Sequence, residues 1–368
     1  MRVIRNITSF LCVIAGMTIM IMSAAHTARC EEVKTTPQDD AVYKKYVIYT
    51  EDQRTPGNFL LPVKFVLNSA FDSAQVPTAF KQKGYFKRFG NIYDIFAHFP
   101  RSISRGGGWG KLFADEWGST RAIPNYTLHI LGGGYDFRMI AEYYKYNNVP
   151  APYFFSFITC YIGHLSNEAL ENSNKNLTPH DPLADLLFFD WVGKLLFISD
   201  DVSRFFHKTL QMRNWMGQPM FDVRKARIYN AACNYVLRPY IYKDMVRFFF
   251  FMGYHYIAGF GFRVNDTDFI TLSAGVAVMK GFDPNKESDK DAIKKFRTCG
   301  GIFYDRNGNL LASLIINGTE NYKLRLNIYP DLLNIDHVNF GIFMGLDDYN
   351  KVSIGFSMYT LIGLSVTL

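Results

Sequence analysis

HVNFGIFMGLDDYNKVSIGFSMYTLIGLSVTL, residues 337–368, alternates twice in the same sense. Val338, Phe340, Ile342, Met344 and Leu346 are spaced by Asn339, Gly341, Phe343 and Gly345. After the turn DDYN, Val352, Ile354, Phe356 and Met358 are spaced by Ser353, Gly355, Ser357 and Tyr359. A period of two puts one set on each face of a strand. One face is long and apolar, and the other is mostly Gly, Ser and Asn instead of a second apolar layer. A sandwich strand hides its apolar face against another sheet, whereas an outer-membrane barrel strand turns that face to lipid.

The same period recurs upstream in VRKARIYNAACNYVLRP, MVRFFFFMGYHYIAGFGFRV, DFITLSAGVAVMKGF, KKFRTCGGIFYD, NLLASLIING and NYKLRLNIYP. In the last of these, Leu324, Leu326 and Ile328 alternate with Lys323, Arg325 and Asn327. Turn signals (VNDTD, DRNGN, NGTEN) separate the segments. The expectation is α+β: a helical bundle followed, over residues 213–368, by an antiparallel β-barrel of about eight strands. The alternative is an antiparallel sheet or sandwich packed on the helices. An eight-stranded barrel is filled by its own side chains, so no solute pore is expected. Aromatic residues form 16% of the chain, with 33 Phe and 23 Tyr, and suit a lipid-facing wall. A mean hydropathy of −0.05 excludes a polytopic helical membrane protein. The last strand ends on Leu364, Val366 and Leu368, without the terminal aromatic common in bacterial barrels.

At the other end, Arg2 and Arg5, the apolar run Ile7–Met22 and the small residues Ser23-Ala24-Ala25 predict a signal peptide over residues 1–25. Its removal takes two arginines and lowers the net charge from +7 to +5. Export to the outer membrane, or alternatively the periplasm, is expected. The basic residues are scattered, so lipid headgroups suit them and nucleic acid is not an expected partner. No CxxC pair occurs, and Cys160 and Cys233 read as small buried side chains, so no disulfide framework is expected.

Residues 26–120 read as a lead-in with short strands or helices. Tyr43–Tyr49 is strand-like, FLLPVKFVLNSAFD reads as a strand or two, RGGGWG (105–110) as a loop, and GYFKRFGNIYDIFAHF (84–99) as an amphipathic helix. Residues 121–212 read as a helical bundle. Its helices cover about Pro124–Tyr146, Pro152–Asn172, a third capped by Asp181 with Pro182 at its first position, and a short fourth around SDDVSRFFHKTL.

These helices carry the ionisable residues. In CYIGHLSNEALE (160–171), offsets of four and seven stack His164, Glu168 and Glu171 on one face, with Asn167 beside them. The first helix brings Asn125, His129 and Asp136 on one stripe and Arg138 with Glu142 on another; the third brings Asp181, Asp185 and Asp190. His164, Glu168, Glu171, His129 and Asp185 are the catalytic candidates, because carboxylates near a histidine can be driven to separate pKa values. They also offer N and O donors to a metal, but HExxH and paired ExxH motifs are absent, and neither metal nor cofactor is expected. The competing account is a polar core in which Asn125, Asp136, Arg138, Glu142, Asn167, Asp181 and Asp190 pair across helices, since buried charges must pair. Gly132, Gly133 and Gly134 cost about 1 kcal/mol each against Ala inside a helix. They therefore mark close packing, as does Gly193.

In order, RAIPNYTLHILGGGYDFRMIAEYY, SFITCYIGHLSNEALE and DPLADLLFFDWVGKLLF resemble the bacterial domain of unknown function DUF3943 and the broader VanZ-like group, over residues 121–206. That resemblance implies a Gram-negative cell-envelope protein and no defined chemistry. The expected function is an outer-membrane or envelope-associated structural or interaction protein, with envelope proteins and lipid as partners. Two alternatives stand beside it: an enzyme acting on lipid or envelope glycan through the His/Glu/Asp cluster, and a soluble periplasmic binding module.

Overall fold

The computed structural model describes residues 46–368 apart from 56–57, 59, 120–121, 174–177, 280–295, 336–337 and 359–361. The signal-peptide expectation for residues 1–25 lies outside them.

The helical part holds α1 (Leu61–Ala70), α2 (Tyr85–Ala97), α3 (Phe99–Gly106) and α4 (Gly108–Gly118). Next comes α5, built of Ala122–Pro124, Asn125–Gly133 and Gly134–Tyr146, and then α6 (Pro152–Glu171). Last are α7 (His180–Ala184, Asp185–Phe189, Asp190–Ile198) and α8 (Asp200–Arg204, Phe205–Thr209).

Four local expectations are corrected. FLLPVKFVLNSAFD is not a strand but α1, whose apolar residues nearly all bury, so periodicity cannot separate strand from helix there. RGGGWG is not a free loop: Gly107 (φ 108°) and Gly108 (φ 85°) make the tight corner between α3 and α4. Tyr46–Tyr49 is no strand; the Ile48 and Tyr49 N–H groups donate to Glu142 at 2.6 and 2.9 Å. Asp181 is also not the cap of α7, which begins at His180 after Pro179.

Among the described residues, the strand half is one sheet of fourteen strands. Short β1 (Arg213–Asn214), β2 (Met220–Asp222), β3 (Arg227–Tyr229), β4 (Tyr235–Leu237) and β5 (Tyr240–Tyr242) precede the long ones. These are β6 (Val246–Met252), β7 (His255–Arg263), β8 (Asp268–Val278), β9 (Phe296–Arg306), β10 (Asn309–Ile316) and β11 (Tyr322–Ile335). They are followed by β12 (Val338–Asp347), β13 (Val352–Met358) and β14 (Gly363–Thr367). The order is β1-β4-β6 and then consecutive to β14, followed by β2-β3; β5 pairs with β6. All pairs are antiparallel except β14–β2, so the sheet is mixed.

The α+β class stands, but the eight-stranded closed barrel does not: the sheet has fourteen strands, and its order ends at β1 and β3 without closing. Among the described residues all the strands belong to one sheet, so they do not form a two-sheet sandwich either. Two divided segments account for part of the count. MVRFFFFMGYHYIAGFGFRV folds back between β6 and β7 at Gly253-Tyr254, and KVSIGFSMYTLIGLSVTL splits into β13 and β14. The run Arg213–Asp222 meets both sides of the sheet. Trp215 and Gly217 N–H donate to Asn234 and Ala232 carbonyls at 2.7 Å, while Pro219 C=O accepts from Gly363 at 2.9 Å.

One apolar core joins helices to strands through Phe65, Tyr135, Cys160, Phe197, Met216, Tyr235 and Met252. Cys160, Cys233 and Cys299 are free and buried.

Candidate functional site

The middle of the bundle is where α5, α6 and α7 cross. Asn125–Gly133 in α5 and Asp185–Phe189 in α7 are π-helical, with i→i+5 bonding that widens the turn. Such segments recur at functional sites, and here they carry His129 and Asp185. Glycines allow the crossing. A Cβ on Gly134 would lie 2.4 Å from the Gly193 carbonyl, and one on Gly193 would lie 2.5 Å from the Ile130 carbonyl. Gly132 makes room for the Tyr235 ring and Gly133 for His164.

Asp190 is the hub. His164 Nδ1 lies 2.6 Å from Asp190 Oδ2 and His129 Nδ1 lies 3.0 Å from Oδ1, while Lys194 Nζ donates to Oδ2 at 2.9 Å. Burial opposes ionisation of Asp190, but His164, Lys194 and the histidine hydrogen bonds prevail and hold it well below the usual carboxylate range. An ionised carboxylate only accepts, so the ring nitrogens facing it carry protons. Burial pushes the His164 pKa down despite Asp190, which favours the neutral ring. The two imidazoles meet edge to face at 5.3 Å.

On its far side, His129 Nε2 stands 3.6 Å from Asp185 Oδ2. Donor atoms of His129, Glu168 and Asp185 lie within 4.8 Å of one another, and so do those of Glu168, Glu171 and Asp181. His129, His164 and Asp190 form a third such group. Glu168 Oε1 and Asp185 Oδ1 are buried without a hydrogen-bond partner. Burial, followed by the charges of Asp185, Glu171 and Asp181, raises Glu168 well above its ordinary pKa. Burial and then Asp181, Glu116 and Glu171 do the same to Asp185. Burial and Asp181 push Glu171 up to about 8. So many adjoining carboxyl groups cannot all ionise without cations between them.

Beside this cluster lies a cavity of about 480 Å³. Its floor is polar, with His129, His164, Glu171, Asp181 and Asp185. Its walls are apolar and aromatic: Phe80, Leu128, Tyr254, Tyr256, Val276 and Phe296. That size and mixture suit a small organic ligand with one polar end.

The remaining expected residues sit elsewhere. Arg138 donates to Glu142 at 2.5 Å, to Asp200 at 2.7 Å and to the Tyr46 carbonyl at 2.7 Å, away from Glu168. Asp136 accepts from Tyr235 Oη at 2.6 Å and from Asn214. Asn125 donates to Glu116 Oε2 at 3.2 Å. Asn167 donates to Glu171 Oε1 at 2.8 Å and accepts from Ser73 N at 3.0 Å. The stripe expected for α5 is thus divided, because the π-helical turn rotates His129 away from Asp136. Between helices the structure pairs Asn125 with Glu116 and Arg138 with Asp200, whereas Glu142 meets Arg138 of its own helix and Asp136 meets the strand residues Tyr235 and Asn214.

Sequence reasoning missed Lys194, Asp72 and Tyr254. Lys194 follows Asp190 at i+4, a legible ion-pair spacing. Asp72 ends the stretch expected as a strand; it accepts from Cys233 N at 2.7 Å, and burial lifts it to about 7. Tyr254 Oη donates to Glu171 at 3.3 Å from the β6–β7 turn, which no local signal marks as close.

Fold and site together define an α+β protein with a carboxylate–histidine centre beside an apolar cavity. No family model, curated protein or solved structure matches the chain.

Proposed function

We propose that this is an exported envelope protein whose sheet seats in an outer-membrane lipid layer and whose helical part takes up an amphiphile, acting on its polar end through the His/Glu/Asp cluster. The observation that carries this reading is the inverted sheet. In β13, Val352, Ile354, Phe356 and Met358 are exposed while Ser353 and Ser357 are buried. The same sense runs across the neighbours, where Phe260 is 49%, Leu272 51% and Leu364 62% exposed. A water-facing protein rarely shows so broad an apolar surface, and lipid is the solvent that suits it.

The hidden face supports this reading. It holds paired charges, as in Arg238–Asp305 at 2.5 Å, and aromatics such as Trp215, Phe249 and Phe303. A sheet edge left open in lipid would strand its N–H and C=O groups. The segment Arg213–Asp222 hydrogen-bonds on both sides of the sheet, which fits a wall curled toward a barrel. No described helix is long and apolar enough to cross a membrane, which leaves the strands to carry the seating. Trp191, Leu195 and Ile198 of α7 add an exposed apolar strip.

The enzymatic reading gains over the purely structural one because Glu171 borders the cavity and Glu168 is not paired off by Arg138. Amphiphile binding fits acyl chain on the aromatic wall and polar head on the floor. The test is fractionation of the expressing cell. The protein is expected to sediment with outer membranes, resist high-salt extraction and migrate differently on gels before and after boiling. Recovery in the soluble periplasm would end the reading.

A further inference from the structure

We infer that His129, Glu168, Asp185, Glu171 and Asp181 form a site for a pair of divalent transition-metal ions bridged by Glu168, with Asp190 as the positioning residue behind His129. The inference goes beyond the lipid reading and does not depend on it, since it concerns the bundle alone.

Four observations carry it. First, two sets of donor atoms, His129/Glu168/Asp185 and Glu168/Glu171/Asp181, are each gathered within 4.8 Å and share one residue. A shared carboxylate with separate ligands on either side is the plan of a two-metal site, where the ions stand about 3.5–4 Å apart. Second, Glu168 is 2% exposed, and its Oε1 has no hydrogen-bond partner; Asp185 Oδ1 is also buried without one. Buried carboxylate oxygens are normally satisfied, so these two call for a ligand.

Third, His129 has the arrangement of a metal ligand. Its Nδ1 is engaged by Asp190 at 3.0 Å, which leaves the Nε2 lone pair facing Asp185 Oδ2 at 3.6 Å. Two such acceptors need a proton or a metal ion between them, and a metal ion would replace the proton at that position. A histidine whose other nitrogen donates to a carboxylate is the usual metal-ligating form, and Lys194 and His164 fix Asp190 in turn. Fourth, the donors come from widened turns: His129 and Asp185 both lie in π-helical segments, which aim side chains that a regular helix would turn away. One imidazole with four carboxylates is a borderline-to-hard set, matched to Mn²⁺, Fe²⁺ or Zn²⁺ and not to Cu⁺. Glu171, Asp181 and Asp185 border the cavity, so bound ions would lie at its floor, where they would supply Lewis acidity to a polar group.

The test uses the full chain in detergent, stripped with chelator and then equilibrated with Mn²⁺ or Zn²⁺. Elemental analysis is expected to give about two ions per chain, and the Mn²⁺ form is expected to show the electron-paramagnetic-resonance spectrum of an exchange-coupled pair. Metal addition should raise the unfolding midpoint of the wild type, and chelator should reverse this. Glu168→Gln should lose the coupled pair. Asp190→Asn should weaken metal affinity by about 10–100-fold, a loss measured as metal uptake by folded protein. A wild type that binds no ion tightly, or binds one with an isolated six-line Mn²⁺ spectrum, overturns the inference. So does an unchanged two-ion stoichiometry in Glu168→Gln. Should that variant not fold, the wild-type stoichiometry and spectrum decide the matter alone.

Discussion

Arg138 has no access to water, and its guanidinium is matched donor by donor. Two carboxylates, Glu142 and Asp200, and the carbonyls of Tyr46 and Ile198 take its N–H groups. Arg138→Ala would leave Glu142 buried with only the Ile48 and Tyr49 amides. Breaking such a pair costs about 3–5 kcal/mol, so the denaturation midpoint should fall sharply; a loss under about 1 kcal/mol, on the scale of an exposed pair, would show that the network is not cooperative. Gly134 and Gly193 are a second case. Each new Cβ would meet a carbonyl of the facing helix, which cannot rotate away as a side chain does. Gly193→Ala is expected to destabilise by about 1–3 kcal/mol, read by thermal unfolding.

Asp136 adds a pH dependence. Burial raises its pKa from 3.8 to about 7, against the hydrogen bonds from Tyr235 and Asn214. The folded state therefore holds a proton that the unfolded chain releases at about pH 4. Its stabilising contribution is full below that value and declines as pH rises toward 7. The Asp136→Asn difference profile should slope across that window; a flat profile would mean that Asp136 is ionised in the native protein.

At the level of elements, two devices matter. The π-helical turns in α5 and α7 change which residues share a face. That is why His129 parts from Asp136 and joins α6 and α7. In the strands, the outward residues are the apolar ones. Ile354→Arg on β13 puts a charge on the proposed lipid face and is expected to cost about 2–4 kcal/mol if that site lies near the bilayer midplane. Ser353→Ala, on the hidden face of the same strand, should leave membrane recovery unchanged. Equal tolerance of both substitutions in membrane-extracted protein would argue against lipid on that face.

Across the whole molecule, the local periods were legible: two in β6 through β14, and near 3.6 in α6 and in the Gly134–Tyr146 part of α5. Periodicity places residues on faces, and the alternating residues 338–346 and 352–358 do form β12 and β13. It also placed His164, Glu168 and Glu171 on one side of α6, and the glycines of α5 and α7 at a close contact. Strand number was not legible, because the β6–β7 turn is marked by Gly253 alone within a long apolar run, and short strands such as β1 and β2 hold only two or three residues. Nor was α1, whose nearly uniform burial removes the alternation that separates helix from strand. By itself the sequence determined the secondary structure of its strongly periodic segments and the division of each strand into an apolar and a small or polar face, since both follow from spacing along one chain; which face is hidden is a tertiary outcome. Only the tertiary structure decided that Arg138 serves Glu142 and Asp200, while Glu168 stays unpaired between His129, Asp185 and Glu171. Those distances depend on where three helices cross, which no spacing along a single helix specifies.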